Sequence, residues 1–366
     1  MLKMMQIVSP KKSSSLALAI GCCLLLTTAC GSSSETAAVP SASPAGAGGV
    51  SVTPPAKPVT APAESPAASA SAAYRFPLTG LPAEREVTSR PYMVMVENAP
   101  QARPQSGLDQ ADIVYEILAE GEITRFVSVF QSHEPAVIGP VRSIRPYFVE
   151  IGDALDAVIV HAGWSQDAMD MMAGRNLAHL DEVYGDGAYY WRSTERKAPH
   201  NLYTSVAKIK QGAAAHKFRT DWNGPLVTFA PDAQSKLTGA AVNYVQIPYL
   251  LGYFVSYEYD AASGLYKRSM EGKPHLDKET GQQLTTTNLL VLESKHQVVD
   301  KEGRRIVDVF GPNKGVIFQR GKSQAITWER KNGLLRAFGA DGKEVPLLPG
   351  STWVQIVPEG TALKME

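Results

Sequence analysis

The chain has 366 residues, and 36 Lys+Arg balance 36 Asp+Glu. It therefore has no bulk charge that would make it a general nucleic-acid or polyanion binder, and any recognition of an anion has to be local. Its three cysteines all lie in the first thirty residues, so beyond them there is no disulfide, thiolate metal ligand or cysteine nucleophile.

Residues 1–30 read as a targeting segment. Lys3, Lys11 and Lys12 precede an apolar stretch from Leu16 to Thr28, shorter than the roughly 20 residues of a spanning helix. The stretch ends in Leu-Thr-Thr-Ala-Cys at 26–30, followed by Gly31-Ser32. This resembles a bacterial lipoprotein signal, in which Cys30 is lipidated and becomes the new N-terminus, while Cys22 and Cys23 are removed. Residues 31–73 lack any aromatic and consist almost wholly of Ala, Ser, Pro, Gly, Thr and Val, a composition that predicts a disordered tether. A flexible chain of that length reaches roughly 35–40 Å.

About 290 residues follow, enough for two ordinary domains. In the part from 74 to 235, strands are predicted at 92–98, 111–120 and 123–132, the last two joined at Gly121-Glu122. A Pro/Gly turn at 139–146 leads into a helix that opens at Pro146, where a missing N–H is tolerated. The apolar run 157–163 predicts a strand buried on both faces. Helices are expected at 165–172, with Ser165 as N-cap, and from Thr204 to about His216, capped by Thr204 or Ser205. This order implies an α/β (or α+β) domain with a mixed sheet. From 236 to 366 the pattern changes to strand-length runs such as "NYVQIPY", "YFVSYEYD", "NLLVLES" and "TWVQIVPEG", with turns at 262–264, 341–342 and 349–350, which predicts a β-rich domain.

The segments "ENAPQARPQSGLDQADIVYEILAEGEITRF", "IGPVRSIRPYF", "VIVHAGWS" and "APHNLYTS" together resemble the YerB-type lipoproteins of Gram-positive bacteria. "GVIFQRGKSQAITWER" and "GKEVPLLPGSTWVQIVPEG" resemble that family's second domain. The resemblance covers nearly all of 76–360. It implies a two-domain lipoprotein anchored on the outer face of the cytoplasmic membrane, and it brings no reaction with it.

Three groups of residues have the chemistry of a site. Arg142 and Arg145, three apart in "IGPVRSIRP", can present two guanidiniums on one side of a turn, with the Ser143 hydroxyl and the following helix N-terminus beside them. The alternative is internal pairing with Glu116, Glu120 or Glu122. Polar residues at strand ends form the second group: Asn98, Arg103, Glu116, Arg125 and His161. The third is "KAPHNLYTS", with His200 and Asn201 in a loop before a helix; its alternative is a turn hydrogen-bonded by Asn201, with His200 stacked on Tyr203.

Several motifs are missing. "HAGWSQD" matches a nucleophile elbow only superficially, because Asp167 stands where the second glycine belongs. There is no P-loop, dinucleotide fingerprint or H-E-x-x-H, and His179-Leu180-Asp181-Glu182 lacks a spaced metal-ligating partner, so no cofactor or metal is expected. The aromatics of 244–259 read as sheet filling before they read as a glycan-stacking face. The expected function is non-catalytic binding of an anionic cell-envelope component or a partner protein in wall assembly or remodelling, through Arg103, Arg125, Arg142, Ser143, Arg145 and Asn201. The alternative is a hydrolase or transferase acting on a phosphorylated or glycan envelope substrate, with Glu116, His161 and His200 as acid–base candidates.

Overall fold

The computed structural model describes residues 73–231 and 237–366. The expected signal segment, Cys30 and the tether up to residue 72 lie outside the described residues.

The N-terminal half carries three helices and five principal strands. Strands β1 (Tyr92–Glu97), β2 (Ile113–Leu118) and β3 (Thr124–Phe130) pair antiparallel in the order β2-β3-β1. β4 (Val158–His161) and β5 (His179–Asp181) then extend the sheet in parallel beyond β1. Helix α1 (Pro146–Ala154) has proline at its first turn, as expected. Helix α2 (Gln166–Gly174) follows Ser165, whose side chain makes no capping bond. Helix α3 (Val206–Ala215) is capped by Ser205, which accepts from the Lys208 amide at 3.2 Å. Thr204 bonds the Tyr189 carbonyl instead, which decides between the two candidate caps.

The C-terminal half is strand-rich. Its principal strands are β6 (Tyr244–Pro248), β7 (Phe254–Asp260), β8 (Leu265–Met270), β9 (Asn288–Ser294), β10 (Asn313–Gln319), β11 (Lys322–Lys331), β12 (Leu334–Phe338) and β13 (Thr352–Pro358). β6, β7 and β8 belong to a separate antiparallel sheet. β9–β13 join the N-terminal strands in one eleven-stranded sheet, whose central path runs β11-β10-β9-β13-β2-β3-β1-β4-β5. The junction is the parallel pair β13–β2, with Thr352 opposite Ile113 and Ile356 opposite Ile117.

Both faces of the central strands are covered, which is why β1, β2, β4 and β9 read as nearly continuous apolar runs, whereas β11 alternates. Met93 and Met95 point to the face packed by Phe148 and Ile151 of α1 and Met172 of α2. Val94 and Val96 point the other way, into a core shared with Ile209 of α3 and with Val245, Val255 and Tyr257 of the second sheet. Leu290 and Leu292 join the first core, while Leu289 and Val291 join the second.

Between the two sheets the core is polar. Glu116 on β2 is fully buried and Arg268 on β8 is 1% exposed. Arg268 donates from one terminal nitrogen to Glu116 Oε2 at 2.6 Å. Glu116 Oε1 accepts from Tyr253 and Thr124 at 2.8 Å each and from Asn98 at 3.3 Å. The rest of the guanidinium bonds Tyr257 and His275 and lies 4.6 Å from the Trp353 ring centroid. Gln355 ties Tyr249 to Tyr257, and Gln105 ties His275 to Asn98. The acid, its cation and their neighbours therefore come from both halves of the sequence.

The 138–145 segment is a strap rather than a free turn. Arg142 donates its amide to Met95 O at 2.9 Å, and its carbonyl accepts from Ala162 N at 3.0 Å, so the strap is stitched to β1 and to the chain just past β4. Gly139 has φ +149°, and a Cβ there would lie 2.8 Å from Leu202 O and 2.9 Å from the Tyr203 ring.

Two stability measurements follow. Arg268→Met strands the buried Glu116 and should cost about 3–5 kcal/mol in urea unfolding, whereas a Glu116→Leu/Arg268→Met double variant should recover much of that loss. Equal losses in the single and double variants would contradict a paired role. Gly139→Ala should destabilise the fold by about 2 kcal/mol or more, because the strap has no room to yield; a change within 0.5 kcal/mol would contradict this.

Candidate functional site

The arginines of the strap are matched to carboxylates. Arg142, whose side chain is 29% exposed, meets Glu97 Oε1 through Nε at 3.0 Å. His200 Nδ1 lies 3.0 Å from the same oxygen. Glu97 itself is buried, and its Oε2 has no hydrogen-bond partner among the described residues. Arg145 and Arg125 both pair with Glu120, the latter at 2.7 Å. Burial alone would raise the Glu120 carboxyl, but the two guanidiniums outweigh it and hold it below its usual range. Ser143 enters this cluster through its carbonyl, which accepts from Arg125 at 3.0 Å.

Of the three carboxylates expected to pair the strap arginines, only Glu120 does so. Glu116 is held by Arg268, and Glu122 pairs with Arg305 of the C-terminal half at 2.5 Å. Arg103 bonds the Asn98 carbonyl and Glu271, with its guanidinium 4.9 Å from the Tyr253 ring centroid. It joins the two halves and is not turned to the strap. Asn201 accepts from Arg192 and donates to Ser193 O, the turn role that the sequence left open.

Of the groups named above, Glu97, Glu120, Arg125 and Arg142 line a cleft of ≈ 260 Å³, together with Thr124 and Glu302 among others. Its charge is mixed, with three carboxylates and two guanidiniums among those six. Glu97 closes an apolar run and reads as the polar end of a strand, so its role was not legible from the residues alone. A charged residue inside a strand buried on both faces was the available signal.

The acid–base candidates are not assembled. Both oxygens of Glu116 are engaged between the sheets. His161 is fully buried at the end of β4. Its Nδ1 faces Gly163 O at 3.1 Å, so Nδ1 carries the proton and Nε2 accepts from His179 Nδ1 at 3.2 Å. Burial, together with the neighbouring His179, lowers the His161 pKa to about 4 against the opposing pull of Asp181. His200 is the one candidate that touches a cleft-lining residue, Glu97. Among the described residues no hydrogen bond joins Glu116, His161 and His200, and no group of three His, Cys, Asp or Glu side chains is arranged to hold a metal ion.

Comparison with known proteins places this geometry in a family. Residues 78–219 match the N-terminal domain model of the protein family of unknown function DUF3048, and residues 245–354 match its C-terminal domain model. The chain is 40% identical over 288 residues to "Putative lipoprotein YerB" of Bacillus subtilis (strain 168), covering 78% of this chain and 86% of that protein. The crystal structure of Bacillus subtilis YerB superposes with a TM-score of 0.73 at 38% identity, over 80% of this chain and 99% of the other. An α/β half with a mixed sheet, a strand-rich half, and close similarity in sequence and structure to YerB lead to one assignment: the chain belongs to the DUF3048 family of YerB-like lipoproteins.

Proposed function

We propose that the protein is a lipid-anchored, extracytoplasmic binding protein. It holds a cell-envelope component that carries both charges, such as a peptide-bearing wall fragment, in the cleft between Glu97 and Arg142. The similarity to a lipoprotein and the signal-like segment ending at Cys30 support the anchor. The observation that carries the ligand class is Glu97. Its Oε1 is taken by Arg142 and His200, while Oε2 is buried without a donor. A ligand amine or amide satisfies that oxygen, and a ligand carboxylate meets the exposed edge of Arg142. A simple anion fits less well, because the cleft sets Glu97, Glu120 and Glu302 against Arg125 and Arg142 and leaves no cationic surplus on its lining. Catalysis finds no support in Glu116, which has no free oxygen to act as a base.

At fixed ionic strength, a muropeptide should raise the melting temperature of the full chain saturably, and inorganic phosphate should not. Arg142→Ala removes one charge-assisted bond worth about 1.5–3 kcal/mol, so affinity should fall about ten- to hundred-fold. Equal stabilisation by phosphate, or unchanged affinity in Arg142→Ala, would sink the reading.

The His161 ring should show no NMR titration from pH 8 down to about 5, since its folded pKa lies at about 4 against an ordinary value of 6.5. The stability linked to this ring is full above about pH 6.5 and is lost as pH falls towards 4, because the unfolded chain takes up the proton first. A midpoint near 6.5 would instead restore His161 as an acid–base candidate.

A further inference from the structure

A second cavity, of ≈ 310 Å³, runs along β5, the last strand of the sheet path, from Leu177 and His179 at its start to Asp181 and Tyr184 at and past its end. It shares no lining residue with the Glu97 cleft. Its Asp181–Tyr184 part lies at the carboxyl end of β5, the side of open α/β sheets at which ligands collect. Its lining includes Trp164, Asp181, Tyr184, Asp186, His216 and Phe218.

Two polar groups on this lining are unsatisfied. Asp181 is 2% exposed; its Oδ1 accepts from the amides of Gly163 at 2.8 Å and Val183 at 3.1 Å, but its Oδ2 has no donor among the described residues. Trp164 Nε1 is buried and has no acceptor. Asp186 relieves neither, because its Oδ1 is taken by His216 at 2.6 Å and its Oδ2 by the Asp181 amide at 2.8 Å. Beside these orphans is an open aromatic surface. Tyr184 is 65% exposed and stacks on Trp164 with ring centroids 4.9 Å apart and planes 27° apart.

The ligand chemistry follows from what is missing. An orphan acceptor and an orphan donor are satisfied together by a group that both donates and accepts, and hydroxyls do this. An ammonium fills only Asp181 Oδ2. A phosphate fills only Trp164 Nε1 and meets the Asp181 charge. A plain apolar ring fills neither. The stacked aromatics add a face suited to the C–H side of a sugar ring.

We propose that this cavity is a binding site for a neutral carbohydrate residue, with one sugar hydroxyl donating to Asp181 Oδ2, another accepting from Trp164 Nε1, and the ring lying against the Trp164–Tyr184 pair. The site is independent of the mixed-charge cleft, so each stands or falls on its own measurement.

The test is an indole N–H NMR titration of the full chain with an N-acetylglucosamine tetrasaccharide, maltotetraose and the diamine cadaverine, in separate samples. The Trp164 resonance is assigned with Trp164→Phe. One of the two sugars is expected to shift it saturably. Tyr184→Ala, a change at an exposed position, should weaken that binding by at least about ten-fold while leaving the melting temperature unchanged. Three results would overturn the proposal: no movement of Trp164 with either sugar at millimolar concentration, a shift with cadaverine alone, or wild-type affinity in Tyr184→Ala.

Discussion

The contact on which the architecture turns is the ion pair of Glu116 and Arg268. The two residues lie 152 positions apart, on different sheets, and both are shut away from water. Removing two charges from water is expensive, and the mutual attraction offsets this only when the remaining lone pairs and N–H groups are also satisfied. Here they are: Tyr253, Thr124 and Asn98 complete the carboxylate, while Tyr257, His275 and the Trp353 face complete the guanidinium. A pair of this kind contributes less to net stability than to choice of partner, because sliding either sheet would strand a charge. It fixes how the second sheet sits on the first.

The same constraint makes the two sequence halves one packing unit. β13, near the end of the chain, lies parallel to β2 and fills the centre of the main sheet. Without it, β2 would present an open edge of unpaired backbone groups. Arg103–Glu271 and Arg305–Glu122 add further bridges between the halves around the ends of β1 and β2. The family models divide the chain into two matched regions, but the polar and apolar cores both cross that division.

The individual elements were legible because their signals are local. β1, β2, β3 and β4 are apolar runs bounded by turn residues, and each helix start carries a proline or a serine at the right place. The joining of β13 to β2 was not legible, since no local signal distinguishes a central strand that pairs with a distant partner from one that pairs with its neighbour. Residue type and spacing drew attention to the strap arginines; of the carboxylates named for them Glu120 pairs with Arg145, while Arg142 takes Glu97, which was not named. Glu116 stands two positions along the strand from Leu118 and looked available; its alternation side carries it to the second sheet, towards an arginine in a region read only as β-rich. Trp164 was noticed solely as a spacer in a failed nucleophile-elbow match, because an aromatic's role as a platform depends on what stacks upon it.

Charge bookkeeping across the molecule narrows the kind of ligand further. Arg103, Arg125, Arg142 and Arg145 were candidates for an anion cradle, and each pairs with a carboxylate, Arg125 and Arg145 sharing Glu120. A polyanion arriving at this face has to displace carboxylates from guanidiniums, and the new pairs would at best equal those lost. A ligand that brings its own positive or hydrogen-donating group faces no such exchange, because Glu97 Oε2 is already waiting without a donor. At the far end of β4 the unmet groups are again an acceptor and a donor rather than a surplus of one charge. With no net charge on the chain as a whole, both openings favour ligands recognised by the pattern of their hydrogen bonds over ligands drawn in by their field.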